Sequence, residues 1–524
     1  MAVITYLSDT FNRANASTAG STEVGKATWS IGNASGSGVW NITSNQLAAT
    51  SNGSESYLTA ESYHSDGTMQ ATFVNIVDGG MIFRYVDTSN FWMIWATGGV
   101  YKIMKKVSGT YTQVGGNVGT AVAGDVVSVQ LDLNNINLYV NGTWLLGVTD
   151  AALDWGTKVG FRASASAATY DNFSLVSLSK NGVAANDSNI FYSPYTWVVN
   201  STNAKTIDSG AYFKMMISGN RGQVGLFFDT TGLDTYNYIK YRIDGEGWVK
   251  ALIAEQVSVP MPSASTWTKH TLEVVVQSAM GTNKWSPQGG ATVFRGLAGE
   301  DTIVTQPIAT AKLRGCVMGD SITEGYITLK NVSTPDGSDA TMSYAGQLRY
   351  LLGAEIGQVG FGSTGWTVAG AGGVPAFPTS YKLMWGGGPA RDFTTVPPDF
   401  IIINQGQNDG TTNTVTTIVN MVNDMLTLIP ATTIIALVCP FSQNQKANIQ
   451  SAVSTLNNKR VKFIDTSTWY NVADSADGIH PYGGTSMLEL APNLATAMRL
   501  ILNGGGIFQN VGGVARGVTG IRSN

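Results

Sequence analysis

The chain has 524 residues, with 31 basic and 35 acidic side chains, a net charge of −4 and only 13% charged residues. That length exceeds one ordinary domain and calls for about three, and the lack of a basic block argues against a nucleic-acid partner. No stretch approaches the roughly 20 apolar residues of a membrane span, and residues 1–9 lack the basic-then-apolar pattern of a secretion signal, so a soluble protein without membrane attachment is expected.

The 61 glycines, with abundant Ser, Thr and Asn, point to a turn-rich, largely β chain. Thirteen Trp and 20 Tyr offer surfaces for stacking on sugar rings, although core filling is the ordinary fate of such residues. Cys316 and Cys439 both fall in apolar runs, which predicts inert buried thiols and no disulfide framework.

Residues 1–180 read as short strands separated by turns. Ile136 to Val140 meets Thr143 to Leu146 across Asn141-Gly142, the strongest short hairpin signal, and Met81 to Tyr85 is followed by a turn and Phe91 to Trp95. No helical period is evident, so a β-sandwich is expected. Asp9-Thr10-Phe11-Asn12-Arg13, Val140-Asn141-Gly142 and Tyr170-Asp171-Asn172-Phe173 resemble concanavalin- or laminin-G-like jelly rolls, which implies either a carbohydrate-binding accessory or a spacer. Asp9, Asp171 and Asn172 carry the hard oxygens that suit a structural calcium ion.

A polar link at about 179–189 leads to a second β-rich segment, 185–308. Its runs Gly210-Ala211-Tyr212-Phe213, Phe228-Asp229-Thr230-Thr231, Tyr241-Arg242-Ile243-Asp244-Gly245 and His270-Thr271-Leu272-Glu273-Val274 resemble the jelly roll ahead of the catalytic domain in carbohydrate esterase family two. His270 reads as a structural histidine on a strand.

Over 309–503 the pattern changes to alternating strands and helices. Apolar runs at 316–318, 356–359, 400–403, 434–438 and 461–464 alternate with helical stripes. The clearest stripe is Val415, Ile418, Val419, Val422, Met425, Leu426 and Ile429, ending at Pro430, and Tyr344, Leu348, Leu351 and Leu352 mark another. Five such units predict a doubly wound parallel sheet. A last helix is expected at about 485–500, followed by a Gly-rich tail, 504–524. The fold class is therefore multidomain, two β-sandwiches followed by an α/β domain.

Three motifs in this last segment carry chemistry. Met318-Gly319-Asp320-Ser321-Ile322-Thr323-Glu324-Gly325 follows an apolar run, and a strand ending in Gly-Asp-Ser can present a serine at the sheet's carboxyl edge, where open α/β sheets keep their reactive groups. Gly406-Gln407-Asn408-Asp409 follows another apolar run, and Asp477-Gly478-Ile479-His480-Pro481 lies near the chain end. A serine hydroxyl needs a base within hydrogen-bond reach. Of the three histidines, His64, His270 and His480, only His480 lies in the α/β segment, and Asp477, three residues before it, can fix its tautomer.

In that order the motifs resemble the SGNH, or GDSL-type, hydrolases. The resemblance implies a Ser321–His480–Asp477 triad working through an acyl-enzyme, and an oxyanion hole built from the Ser321 amide, the Asn408 side chain and one backbone amide of the block 360–366. In that block Gln358 replaces the usual opening Asn, and Gly362, Gly365 and Ser363 all remain candidates for the amide. Trp366 and Tyr482 can line a sugar subsite. Neither a metal cluster nor a nucleotide fingerprint is visible, so no metal and no cofactor are expected.

The two β modules favour an acetylated polysaccharide as substrate, and the polar insert 327–340 does not read as a lipase lid. Two settings fit: an extracellular carbohydrate esterase, or a phage tail-associated esterase, which as a virion fibre would be a homo-oligomer, a trimer. A lipase or thioesterase acting on longer acyl chains, and an adhesion protein with vestigial hydrolase activity, are the alternatives.

Overall fold

Asn141 and Gly142 take φ angles of 51° and 77° and set Val140 opposite Thr143, heading the hairpin of strands Asn135–Val140 and Thr143–Thr149. Two successive left-handed residues match the twist of paired strands, which is why Asn-Gly sits there. The computed structural model describes residues 3–33, 38–51, 55–76, 78–164, 168–178, 182–218, 223–233, 237–262, 268–279, 283–286, 291–299, 302–475 and 477–504. Residues 179–181 of the polar link, and the Gly-rich tail beyond Gly504, lie outside them.

The first segment forms two antiparallel sheets, of eight and seven strands. Alternation along strand Gly67–Asn75 turns Met69, Ala71 and Phe73 inward, and strand Asp125–Asp132 does the same with Val127, Val129 and Leu131. They share one core with Met81, Phe83, Trp92, Ile94 and Phe161 of the facing sheet. The expected strand pair at 81–95 is the antiparallel ladder of Gly79–Asp87 with Asn90–Thr97.

The calcium suggestion for Asp9, Asp171 and Asn172 is corrected. Both Asp9 oxygens are taken by the Arg13 guanidinium, at 2.6 and 3.0 Å, with further bonds from the Trp29 indole and the Phe11 amide. Two donors on each oxygen fill the acceptor positions of the Asp9 carboxylate and leave none to coordinate a cation.

The second sandwich consists of two six-stranded antiparallel sheets around Phe213, Met215, Leu226, Phe228, Leu272, Val274 and Phe294. His270 donates from Nδ1 to Asp244 Oδ2 at 2.7 Å, as befits a structural histidine. The two sandwiches meet at His64, which stacks on Tyr6 at 3.7 Å and hydrogen-bonds Gln256 at 3.1 Å. Burial lowers the His64 imidazole to about 4, against a smaller rise from Gln256.

The third segment is a five-stranded parallel sheet ordered Ala354–Gly360, Leu313–Gly319, Phe400–Asn404, Ile434–Val438, Val461–Ile464. Cys316, Met318, Ile401, Ile403, Ile435 and Leu437 share one core with helices Val415–Leu428 and Lys446–Leu456. Val317, Phe400, Ile402, Ala436 and Val438 pack with helices Tyr344–Leu352 and Ala491–Leu502 on the other. Both cysteines are free and buried; burial pushes the Cys439 thiol up to about 12 and Cys316 higher still. The second strand in sequence lies on one side of Leu313–Gly319 and the third on the other. The order therefore reverses at the carboxyl end of Leu313–Gly319, the crevice where doubly wound sheets bind ligands.

The second sandwich and the parallel sheet are joined by buried charge. Arg391 donates to both oxygens of Asp208, at 2.7 and 3.1 Å, and both side chains are inaccessible. Glu355 accepts from Tyr212 and Lys214 at 2.6 and 2.8 Å. The polar insert 327–340 is tied to the same sandwich: Lys250 pairs with Asp336, Lys240 with Asp339, and Gln277 donates to the Ser338 carbonyl. No helix among the described residues is long and apolar enough to cross a membrane.

Candidate active site

Strand Leu313–Gly319 runs through the sheet, and the chain then turns directly into the short helix Ser321–Glu324. Asp320 caps that helix, accepting from the Ile322 amide at 3.0 Å, and Gly325 closes it at φ 83°. Gly319 is required here, since a Cβ would lie 2.1 Å from Thr323 Oγ1 and 2.3 Å from the Asn404 carbonyl. Ser321 thus starts a helix at the switch point, and its amide, one of the amino-terminal donors without an intrahelical partner, has no acceptor among the described residues.

Ser321 Oγ lies 2.7 Å from His480 Nε2. His480 Nδ1 lies 2.8 Å from Asp477 Oδ2, while Asp477 Oδ1 accepts the backbone amides of Ile479 and His480 at 3.0 and 2.8 Å. Gly478, at φ 86°, permits the tight loop that brings an aspartate and a histidine three residues apart face to face. Burial would raise the Asp477 carboxyl, but the bonds from the His480 amide and ring and from the Ile479 amide outweigh it and hold the group below its ordinary value. With its Nδ1 proton given to Asp477, His480 presents a bare Nε2 to the serine hydroxyl. Asp320 is pushed up to about 7, by burial first, with Asp409 and Glu324 adding to the rise against the Ile322 bond.

The Gly-x-Asn-Asp turn holds the glycine block. Asn408 donates through its side-chain amide to the Thr364 carbonyl at 2.8 Å, leaving its second amide proton for another acceptor. Asp409 accepts the backbone amides of Trp366 and Thr367, both at 2.8 Å, and the Thr367 hydroxyl. Within the block, the Gly362 and Gly365 assignments need correction. The Gly362 amide donates to Glu324 Oε2 at 2.9 Å, and that of Gly365 to the Val368 carbonyl at 2.9 Å. Neither is free as the loop stands. Ser363, between them at φ 63° and exposed, has no amide acceptor among the described residues.

Trp366 does not line a sugar subsite: it is 1% exposed and packs edge-on against Phe377 at 5.5 Å. The block's fold turns its ring into the core while its amide serves Asp409. Tyr482 is 41% exposed, two residues past His480. Trp385 and Trp469 are buried. Tyr326, missed at the sequence level, packs edge-on against the His480 ring with centroids 5.0 Å apart. Its place one residue past the Gly-Asp-Ser helix cap was the available signal. Two further missed residues, Glu324 and Lys284, form a buried ion pair behind the serine helix.

No protein-family model matches the sequence, and no curated protein matches it. Among solved structures, a family two carbohydrate esterase from Cellvibrio japonicus superimposes with a TM-score of 0.51 at 19% identity, over 62% of this chain and 98% of its own. A family two carbohydrate esterase from Clostridium thermocellum, solved in complex with cellohexaose, gives 0.50 at 20% identity over 60% and 99%. An acetyl xylan esterase from the rumen bacterium Butyrivibrio proteoclasticus gives 0.51 at 16% identity over 62% and 99%. At these identities the likeness is one of fold: about three fifths of this chain follow the path of nearly the whole of each of these carbohydrate esterases.

Proposed function

We propose that the protein is a serine esterase that removes O-acetyl groups from a polysaccharide. The observation that carries the reading is the unbroken hydrogen-bonded line from Ser321 through His480 to Asp477, with separations of 2.7 and 2.8 Å. In this reading three domains, at 1–180, 185–308 and 309–503, divide the work, and the last performs the chemistry.

Ser321 Oγ attacks the acetyl carbonyl carbon while His480 Nε2 takes its proton, and Asp477 stabilises the imidazolium. The carbonyl oxygen becomes an oxyanion received by the Ser321 amide, the second amide proton of Asn408 and the Ser363 amide, since those of Gly362 and Gly365 are already spent. Such donors contribute a few kcal/mol each in a water-poor site. Collapse breaks the bond to the sugar oxygen, which leaves with the proton from His480. Water, deprotonated by the same nitrogen, then attacks the acetyl-enzyme carbon, and acetate leaves as Ser321 recovers its proton.

Substrate class rests on two supports: the fold shared with carbohydrate esterases, one of them solved with cellohexaose, and the exposed Tyr482 ring beside the histidine loop. The insert 327–340 is pinned to the second sandwich by Lys250 and Lys240, which argues against a mobile apolar lid of the kind a lipase needs.

The test is hydrolysis of para-nitrophenyl acetate, butyrate and octanoate by the wild type and by Ser321→Ala, followed by acetate release from acetylated xylan. Acetate preference that disappears in the variant supports the reading. Preference for octanoate would replace it with a lipase or thioesterase, and inactivity of both proteins on every ester would leave an adhesion role.

A further inference from the structure

The serine helix and the glycine block are braced from outside their own segment. Residues 283–286 belong to the connection between strands His270–Ser278 and Thr292–Gly299 of the second sandwich. Lys284 Nζ reaches the Glu324 carboxylate, in a pair whose two side chains are 6% and 5% exposed, and lies 3.4 Å from the Gly360 carbonyl. Trp285 follows into the same region. Its amide donates to the Gly372 carbonyl at 3.0 Å, its carbonyl accepts from Gly386 at 2.9 Å, and its ring meets Phe361 edge-on at 5.7 Å.

Glu324 is the last residue of the helix that Ser321 begins. Its other oxygen, Oε2, holds the Gly362 amide. One carboxylate therefore links the nucleophile's helix to the block that must supply a backbone donor, and Lys284 neutralises that carboxylate from another domain. Gly360 is part of the fit, because a Cβ there would lie 2.3 Å from the Glu324 amide nitrogen. Backbone contact closes this approach, so the helix and the block cannot be brought closer by repacking a flexible side chain.

A buried ion pair is a poor way to add stability, because desolvation consumes most of the Coulomb gain and an apolar pair of the same volume does as well. Its distinctive property is direction: a charged hydrogen bond fixes where each oxygen points. Reactions of this type are sensitive to such fixing, since a displacement of about 1 Å between nucleophile and donors costs on the order of a hundred-fold. We infer that Lys284 is a positioning residue for the hydrolytic reaction: acting through Glu324, it sets the glycine block against Ser321, so the second sandwich is a working part of the active site. This inference rests on the esterase reading above.

The experiment uses the full chain with two variants, Lys284→Met and Lys284→Met/Glu324→Gln, the second removing both buried charges so that neither is left unpaired. Values of kcat and KM on para-nitrophenyl acetate are taken per competent site, counted by titration with a serine-phosphonylating reagent. The expected result is a kcat about ten-fold or more below wild type in both variants, with KM within about two-fold, the signature of lost transition-state geometry rather than lost binding. A kcat per phosphonylated serine within about two-fold of wild type in the double variant overturns the inference and leaves Lys284 as domain glue. A wild type that is itself inactive, or a Ser321→Ala variant that keeps full activity, overturns the esterase reading instead.

Discussion

Asp477 receives two hydrogen bonds from one residue: His480 gives its ring Nδ1–H to Oδ2 and its backbone amide to Oδ1, each at 2.8 Å. The carboxylate thereby sets the loop's backbone and the ring's tautomer together. Replacing it by an amide separates the two effects.

In Asp477→Asn the carbonyl oxygen can still accept from the His480 amide, but the side-chain NH2 now faces Nδ1. The ring must turn its bare nitrogen to that NH2 and its proton to Ser321, so Nε2 can no longer act as base. A loss of about 10³ to 10⁴ in kcat is expected, with a thermal midpoint close to wild type. Steady-state kinetics beside a melting curve measure both; a loss below about ten-fold would remove Asp477 from the mechanism.

Asn408 spends one amide proton on the Thr364 carbonyl and keeps the other. If that proton meets the oxyanion, Asn408→Ala lowers kcat by about 10² to 10³ and changes KM little, because the bond is made mainly in the transition state. A change confined to KM would assign Asn408 to substrate binding alone.

His64 makes the packing of the two sandwiches dependent on acid. Its folded value of about 4 lies below the ordinary 6.5, so between those pH values the unfolded chain binds more protons than the folded one. The neutral ring's contribution is complete above about pH 6.5 and is lost as pH falls towards 4, a change on the order of 3 kcal/mol. His64→Phe keeps the stack on Tyr6 and removes the titration. Its thermal midpoint relative to wild type should therefore rise as pH is lowered from 7 to 4, and a constant difference would contradict the assignment.

Asp320 works in the opposite direction. Its carboxyl, pushed up to about 7 from 3.8, binds its proton more tightly in the folded chain, so its contribution is complete below about pH 4 and is lost as pH rises through 7. Asp320→Asn retains an oxygen for the Ile322 amide and carries no charge. Melting curves from pH 4 to 8 should show the variant gaining on the wild type as pH rises, and a gap independent of pH would count against a neutral Asp320.

Much of the fold was legible because it rests on local pattern. Asn141-Gly142 could form only a narrow set of turns, and the five apolar runs of the last segment became its five parallel strands. The helix stripe that begins at Val415 buries Ile418, Val422 and Met425, as its spacing requires. Trp366 was misread because a tryptophan after a glycine turn looks alike whether its ring faces solvent or core, and only the Asp409 bonds to the block settle which. Lys284 had no signal at all: it lies 40 positions from Glu324 in an unpatterned connection.

What the sequence by itself determined was the inventory and the order: one histidine in the α/β segment, a serine at a strand end, an aspartate three residues before the histidine, and the periods that build each layer. These are properties of short windows, where chain geometry alone restricts the outcome. Which glycine-block amides are spent and which stays free, which aromatic rings reach the surface, and the reach of the second sandwich to the serine helix were decided only by the tertiary structure. Each depends on hydrogen bonds and burial between residues far apart in the chain, and no local pattern encodes the partner at the other end.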